Sequence, residues 1–120
     1  MSVLANEKNL QQMISEGQMM EAFEKYYHEA VVMVEPMSGQ TEGKDANRKR
    51  EEEWIAALAE VHGGGVNSIA ADEENGITLT ETWGDFSFKD GNRTKIEEVS
   101  VKKWKNGLIV HERFYYNMPG

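Results

Sequence analysis

A chain of 120 residues with a hydrophobic fraction of 39% supports one modest core, so residues 1–120 are expected to form a single domain. Its 13 Lys and Arg against 21 Asp and Glu give a formal charge of −8, which repels the phosphates of nucleic acids and anionic lipids, and neither is expected as a partner. The lack of cysteine removes disulfides, thiolate metal ligands and cysteine nucleophiles, and Glu7 and Lys8 interrupt the N-terminal stretch before any apolar run forms; a cytoplasmic protein without leader or membrane span is expected.

In chain order, Val3 to about Glu16 places Val3, Leu10, Met13 and Ile14 near one helical stripe, and Gly17 supplies the left-handed stop that helix ends favour. A short second helix follows, with Met19, Met20, Phe23 and Tyr26 or Tyr27 on its buried side. Ala30 to Glu35 differs in kind. Val31, Val32 and Val34 are β-branched and Pro36 holds Glu35 extended, so a strand ends there at a turn. Met37 to Gly43 reads as loop. Asp45 then caps a helix running to about Val61, with Trp54, Ile55, Leu58 and Val61 on its apolar face. His62-Gly63-Gly64-Gly65 ends that helix and serves as a hinge, because three glycines lose too much backbone entropy on ordering to prolong it.

Beyond the glycines, Val66 to Asp72, Ile77 to Phe88, Lys95 to Lys105 and Leu108 to Tyr116 are strand-like. Asn75-Gly76, Asp90-Gly91 and Asn106-Gly107 separate them, and these dipeptides favour hairpin turns. Helices first and a meander afterwards make an α+β domain, a curved antiparallel (mixed) sheet packed on N-terminal helices. Strong curvature leaves a cleft between sheet and helices for a small apolar or weakly polar molecule. No cofactor or metal is implied: no second histidine stands at ligand spacing from His28, and the glycines at 63 to 65 lack the spacing of a dinucleotide site.

Gly17, the run Tyr26-Tyr27-His28-Glu29-Ala30-Val31-Val32-Met33-Val34-Glu35-Pro36, the Gly43-Lys44 pair before a helix, and Trp104-Lys105-Asn106-Gly107-Leu108-Ile109-Val110-His111-Glu112-Arg113-Phe114-Tyr115-Tyr116 carry a resemblance. In order and spacing they resemble the nuclear transport factor 2-like superfamily, especially its SnoaL-like branch, over nearly the whole chain. The resemblance implies a cone-shaped sheet around a pocket, in a superfamily that includes polyketide cyclases, ketosteroid isomerases, dehydratases and transport factors. The isomerase's general-base aspartate lies just before the proline that follows the first strand, and Glu35 before Pro36 resembles it. Leu10 falls where the isomerase has its oxyanion tyrosine, Ser100 where it has a protonated aspartate, and Asn117 where SnoaL-like cyclases carry an aspartate. Neither familiar mechanism transfers whole.

Glu35 is the first catalytic candidate, since a carboxylate desolvated at a pocket mouth has its pKa raised toward the range useful to a base; a solvated strand-end glutamate is the plainer alternative. A period of two groups Glu112, Phe114 and Tyr116 on one face of the last strand and His111, Arg113 and Tyr115 on the other. Spacing from the Asn106-Gly107 turn and similarity to the isomerase assign Glu112's face to the pocket. Glu35 and Glu112 then form a catalytic carboxylate pair with one member protonated, or Glu112 partners a buried lysine or tyrosine. Trp83, Trp104, Phe114 and Tyr116 are the ligand-binding candidates, with core packing as the alternative for the tryptophans. The face bearing His111, Arg113 and Tyr115 meets a second subunit in many relatives, so a homodimer through it is expected. The functional expectation is a small-molecule-binding protein that works by carboxylate proton transfer as an isomerase, cyclase or dehydratase. Its alternative is a non-catalytic dimeric domain whose cone is filled by its own side chains.

Overall fold

Three helices and six strands, described over residues 2–116 of a computed structural model, follow one another as α1 (Val3–Ser15), α2 (Met19–Tyr26), β1 (Tyr27–Glu35), β2 (Gly39–Glu42), α3 (Lys44–Ala57), β3 (Leu58–Asp72), β4 (Ile77–Phe88), β5 (Arg93–Lys105) and β6 (Leu108–Tyr116). The sheet order is β2-β1-β6-β5-β4-β3, with β1 and β6 parallel and the remaining neighbours antiparallel. Among the described residues no helix is long and apolar enough to cross a membrane.

Helix α1 starts where Ser2 Oγ accepts from the Ala5 N–H at 3.0 Å, and the Glu73 carboxylate, from the β3–β4 turn, accepts the Val3 and Leu4 N–H groups at 2.9 and 3.1 Å. A carboxylate on the free N–H groups of a first turn both caps it and meets its dipole, so the far hairpin is tied to the first helix. Gly17 ends the helix at φ 78°. Leu10, Ala22, Phe23, Tyr26, Val31, Met33, Trp104 and Ile109 form the core between helices and sheet, with Phe23 stacked on Tyr27 at 4.8 Å and Tyr26 edge-on to Trp104 at 5.7 Å.

The middle of the chain departs from its sequence reading. The expected loop at Met37 to Gly43 contains β2, which pairs with β1 from Val32↔Glu42 to Glu35↔Gly39. Gly43, at φ 93°, takes the cap position of α3, and Asp45 lies in the first turn and bonds Arg48 at 2.7 Å. The helix stops at Ala57 rather than Val61, and Leu58 to Gly65, hinge glycines included, belong to β3, paired with β4 from Leu58↔Phe88 to Gly65↔Trp83. Packing on β4 decides this. Of the supposed helical stripe, Trp54 turns inward onto Phe86 and Phe88 at 5.1 and 6.3 Å, whereas Ile55 and Val61 are left 36% and 58% exposed. The glycines are smooth ground for an indole: a Cβ on Gly63 or Gly65 would stand 3.1 or 3.0 Å from the Trp83 ring.

Strand parity sets the two faces of the sheet. On β4, Thr78 and Thr80 are fully buried on the helix-covered, inner face, and on β5 Ser100, Lys102 and Trp104 share it. Leu79, Glu81, Trp83, Val99 and Val101 therefore face outward. On β6 one extra residue shifts the register, since Lys103 pairs with His111 but Trp104 with Ile109. This bulge at Val110 puts Ile109 and Glu112, three residues apart, on the same inner face.

Candidate functional site

At the closed end of the inner face lies a buried polar network. Glu112, 2% exposed, accepts from Tyr27 Oη at 2.5 Å and Ser100 Oγ at 2.6 Å, and Lys102 Nζ stands 3.4 Å away. Lys102 also reaches Glu7 of α1 at 3.2 Å, and Glu7 accepts from Thr78 and Gln11 at 2.8 Å each. Trp104 Nε1 completes the chain by donating to Thr78 Oγ1 at 2.8 Å. Burial pulls the Lys102 ammonium down, but Glu112 and Glu7 outweigh it and hold Lys102 above its ordinary range. Burial, then the Glu112 charge, pushes the Tyr27 phenol well up, which keeps it a proton donor in this bond.

Toward the other end the same face opens to solvent: Thr82, Ile96, Glu98, Phe114 and Tyr116 are half-exposed where their inner-face neighbours are buried. Glu35, at the end of β1, accepts from Arg50 Nη1 at 3.1 Å and from Tyr116 Oη at 2.9 Å. Burial and then the Glu35 bond push Tyr116 up to about 12. Arg50 Nη2 also donates to Glu51 at 3.1 Å. Burial pushes Glu51 up to about 7 against the pull of Arg50, with the charges of Glu112 and Glu35 adding to the rise. Glu98 stands in the same row as Thr82 on β4 and Tyr116 on β6; burial, then Glu112 and Glu35, pushes it up to about 7 as well. Two carboxylates that change charge near neutrality can give or take a proton at working pH.

The candidates from sequence therefore part company. Glu35, Phe114 and Tyr116 come together at the open end, and Glu112 lies on the same face but one step deeper, held by both a tyrosine and a lysine. Trp104 is a core residue, 7% exposed. Trp83 is on the outer face, where Lys95 lies over its ring at 5.4 Å, so parity separates it from the other candidates. His111, Arg113 and Tyr115 also face outward, with Arg113 over the Tyr115 ring at 5.3 Å. Asn117 is outside the described residues. Of two hollows, one of about 580 Å³ is bounded by His28, Ala30, Leu108 and Val110, away from these residues, and the other, of about 400 Å³, is bounded by Glu81, Glu97 and Tyr115 of the outer face together with Glu98 and Tyr116.

Arg50, Glu51 and Glu98 were not among the site candidates that the sequence offered. A signal for Glu98 was present: Glu98, Ser100 and Lys102 alternate with Val99 and Val101, and ordinary patterning turns the valines inward. Here the polar residues face the helices. For Arg50 and Glu51, a run of charges at the start of a helix reads as a solvated face, and only the docking of α3 on β1 buries it.

The sequence profile of the SnoaL-like domain matches residues 4–116. A protein from Mesorhizobium loti, provisionally assigned both as a SnoaL-like polyketide cyclase and as a carbohydrate phosphatase, is 29% identical over 97% of this chain and 100% of its own, with a TM-score of 0.86. A Bacillus subtilis protein provisionally assigned as an isomerase is 18% identical over 94% of this chain and 84% of its own, with a TM-score of 0.77. A nuclear transport factor 2-like protein of unknown function from Burkholderia pseudomallei is 11% identical over 96% of this chain and 90% of its own, with a TM-score of 0.80. The last two likenesses show the fold alone. No curated protein matches the chain. With the profile spanning nearly all of α1 through β6 and the six-stranded sheet curved against its helices, the chain belongs to the SnoaL-like domain family of the nuclear transport factor 2-like fold.

Proposed function

We propose that the chain binds a small, largely apolar molecule at the open end of the inner face and moves a proton on it with the carboxylates there. The reaction class is that of an isomerase, cyclase or dehydratase. One observation carries the reading: Glu98 is half-buried beside Tyr116, on a face that solvent reaches, and burial brings it to about 7. A carboxyl group in that state shuttles a proton without a cofactor. In this reading Glu35, fixed by Arg50 and Tyr116, orients the ligand, Phe114 lines its seat, and Glu112 holds the deeper end rigid. The provisional assignments of the Mesorhizobium loti protein as a cyclase and the Bacillus subtilis protein as an isomerase are in keeping with proton-transfer chemistry.

The test is hydrogen–deuterium exchange at the carbon next to the carbonyl in a panel of small ketones and β-dicarbonyls, followed by NMR. The protein should accelerate exchange for at least one member, and E98Q should lower that acceleration by about 10²-fold or more. Acceleration that survives E98Q removes the mechanism.

A second reading, a non-catalytic dimeric domain, gains from two facts. The closed end is filled by Glu7, Tyr27, Lys102 and Trp104, and the outward side of β4 to β6 leaves large apolar side chains uncovered, with Leu79 41% and Tyr115 51% exposed. Pairing of two copies through that outer face suits either reading. Binding of panel members with no exchange by any of them would select the non-catalytic one.

A further inference from the structure

The open end of the inner face holds more negative charge than the chain itself neutralises. Glu35, Glu51 and Glu98 gather there, and Arg50 answers the first two with bonds of 3.1 Å each. Glu98 has no donor to its carboxylate among the described residues; the charges acting on it are Glu35 from β1, Glu51 from α3, Glu112 from β6 and Lys102 from β5. Three of those four are negative. Around this excess the walls are aromatic. Trp54, one turn beyond Glu51 on α3, meets Phe86 edge-on at 5.1 Å. Gly84 lets Phe86 fold back along β4 toward the row of Thr82 and Glu98, because a Cβ there would overlap the ring. Tyr116 flanks Glu98 from the other strand.

A separate observation marks the floor. Thr80, fully buried, faces the inner side one step deeper than Thr82, cross-strand from Ser100, and its Oγ1 has no hydrogen-bond partner among the described residues. Ser100 gives its one hydroxyl proton to Glu112 and accepts from Lys102, so it has no proton left to donate to Thr80. An unmet buried hydroxyl is destabilising, and a polar group entering from the open end would relieve it.

We propose that this end of the inner face binds an organic ammonium cation, its charge against Glu51 and Glu98, its alkyl groups against Trp54, Phe86 and Tyr116, and a hydroxyl or similar group toward Thr80. The inference rests on the small-molecule reading above and names the class of that molecule. A metal ion would need several oxygens converging within about 2.6 Å, whereas an aromatic wall beside carboxylates suits an alkylated ammonium, which gains from ring faces and from ion pairing together. The formal charge of −8 also draws cations toward the protein. Once bound, the cation favours the ionised form of Glu98, so the ligand itself readies the base.

Choline and its uncharged isostere 3,3-dimethylbutan-1-ol separate the possibilities by calorimetry on the intact chain. Choline should bind at least about tenfold more tightly than the isostere, and its affinity should fall about tenfold for each pH unit below 7 as a carboxylate takes up its proton. E98Q and T80V should each weaken choline at least about fivefold without lowering Tm, and E97Q, on the outer face, should leave it unchanged. Equal binding of choline and isostere overturns the cation and leaves the small-molecule reading standing. No choline binding, or affinity untouched by both E98Q and T80V, also overturns it. Loss of ketone exchange in E98Q is read independently of either result.

Discussion

Tyr116 donates its hydroxyl to Glu35 Oε2 at 2.9 Å, while Arg50 Nη1 holds the other oxygen of the same carboxylate at 3.1 Å. The end of β6 is thereby tied to the end of β1, and through Arg50 to α3. A phenol pushed up to about 12 remains a donor at every pH the protein meets. Y116F removes one donor of two and should cost about 1 kcal/mol in urea unfolding, because the bond is partly solvated and the guanidinium remains. R50M, which strips Glu51 as well, should cost more. Identical midpoints for Y116F and the parent chain would show that the hydroxyl bond contributes nothing.

Glu51 and Glu98 make stability depend on pH in a stated direction. Their carboxyls sit at about 7 in the folded chain against 4.5 ordinarily, so between those values the folded state holds protons that the unfolded state has released. Stability from these groups is complete below 4.5 and is lost as pH rises through 7. With about 1.4 kcal/mol per pKa unit, and a discount for the partial exposure of Glu98, E98Q should be about 1–2 kcal/mol more stable than the parent at pH 8. The gap should close near pH 4.5. Thermal melts across that range check it, and parallel curves for the two proteins would refute the raised carboxyl.

Lys102 stands between two buried carboxylates, at 3.2 Å from Glu7 and 3.4 Å from Glu112. Removing the cation alone leaves both charges uncompensated, so K102M should destabilise by about 3–5 kcal/mol. Neutralising all three, as K102M/E7Q/E112Q, should recover more than half of that loss, because amides keep most of the hydrogen bonds without the charge. Chemical denaturation of the single and triple variants decides between an electrostatic clamp and simple packing, which the triple variant would not rescue.

The hairpin half of the fold was legible because it depends on local chemistry. Gly76, Gly91 and Gly107 adopt φ 67°, 94° and 79°, as turns after Asn or Asp require, and β4 and β6 begin and end where their β-branched and aromatic runs do. What escaped was decided by distant partners. Gly63 to Gly65 look like a break until Trp83 is laid on them from the next strand, and Trp54 to Val61 keep helical spacing although the ladder to β4 claims the chain after Ala57. The site was half legible. Glu35 stood out by its place before Pro36 and by resemblance to the isomerase, and Phe114 and Tyr116 by sharing Glu112's parity, but Glu98 alternates with Val99 and Val101, which point away from the helices, and hydrophobic patterning of that stretch assigns it the wrong way round.

Gly65 and Trp83 offer a direct check on the reassigned strand. Neither Gly63 nor Gly65 has a left-handed backbone, so it is space rather than conformation that excludes a side chain there, and a Cβ on Gly65 would sit 3.0 Å from the indole nitrogen. G65V should cost about 1–3 kcal/mol and shift the tryptophan emission, and should cost far less in a W83A background, where the obstruction is gone. Additive losses in the double variant would place the glycine elsewhere than under the ring.

The outer face yields the last prediction. Val99 and Val101 on β5, Leu79 on β4 and Tyr115 on β6 point away from the helices, with Leu79 41% and Tyr115 51% exposed, while the buried side of the same strands carries Thr78, Thr80, Ser100 and Lys102. An outer face that leaves Leu79, Val99, Val101 and Tyr115 toward solvent among its charged residues gains by covering those apolar side chains, and a twofold pairing of identical sheets does so with one surface. Light scattering after gel filtration should therefore give twice the chain mass. L79D together with Y115D should halve it, since charges set against their own copies across a twofold contact repel and cannot be desolvated cheaply. A chain mass that is single from the start, unchanged by either substitution, would leave the valine stripe without a partner of its own kind and turn the search toward a different protein surface.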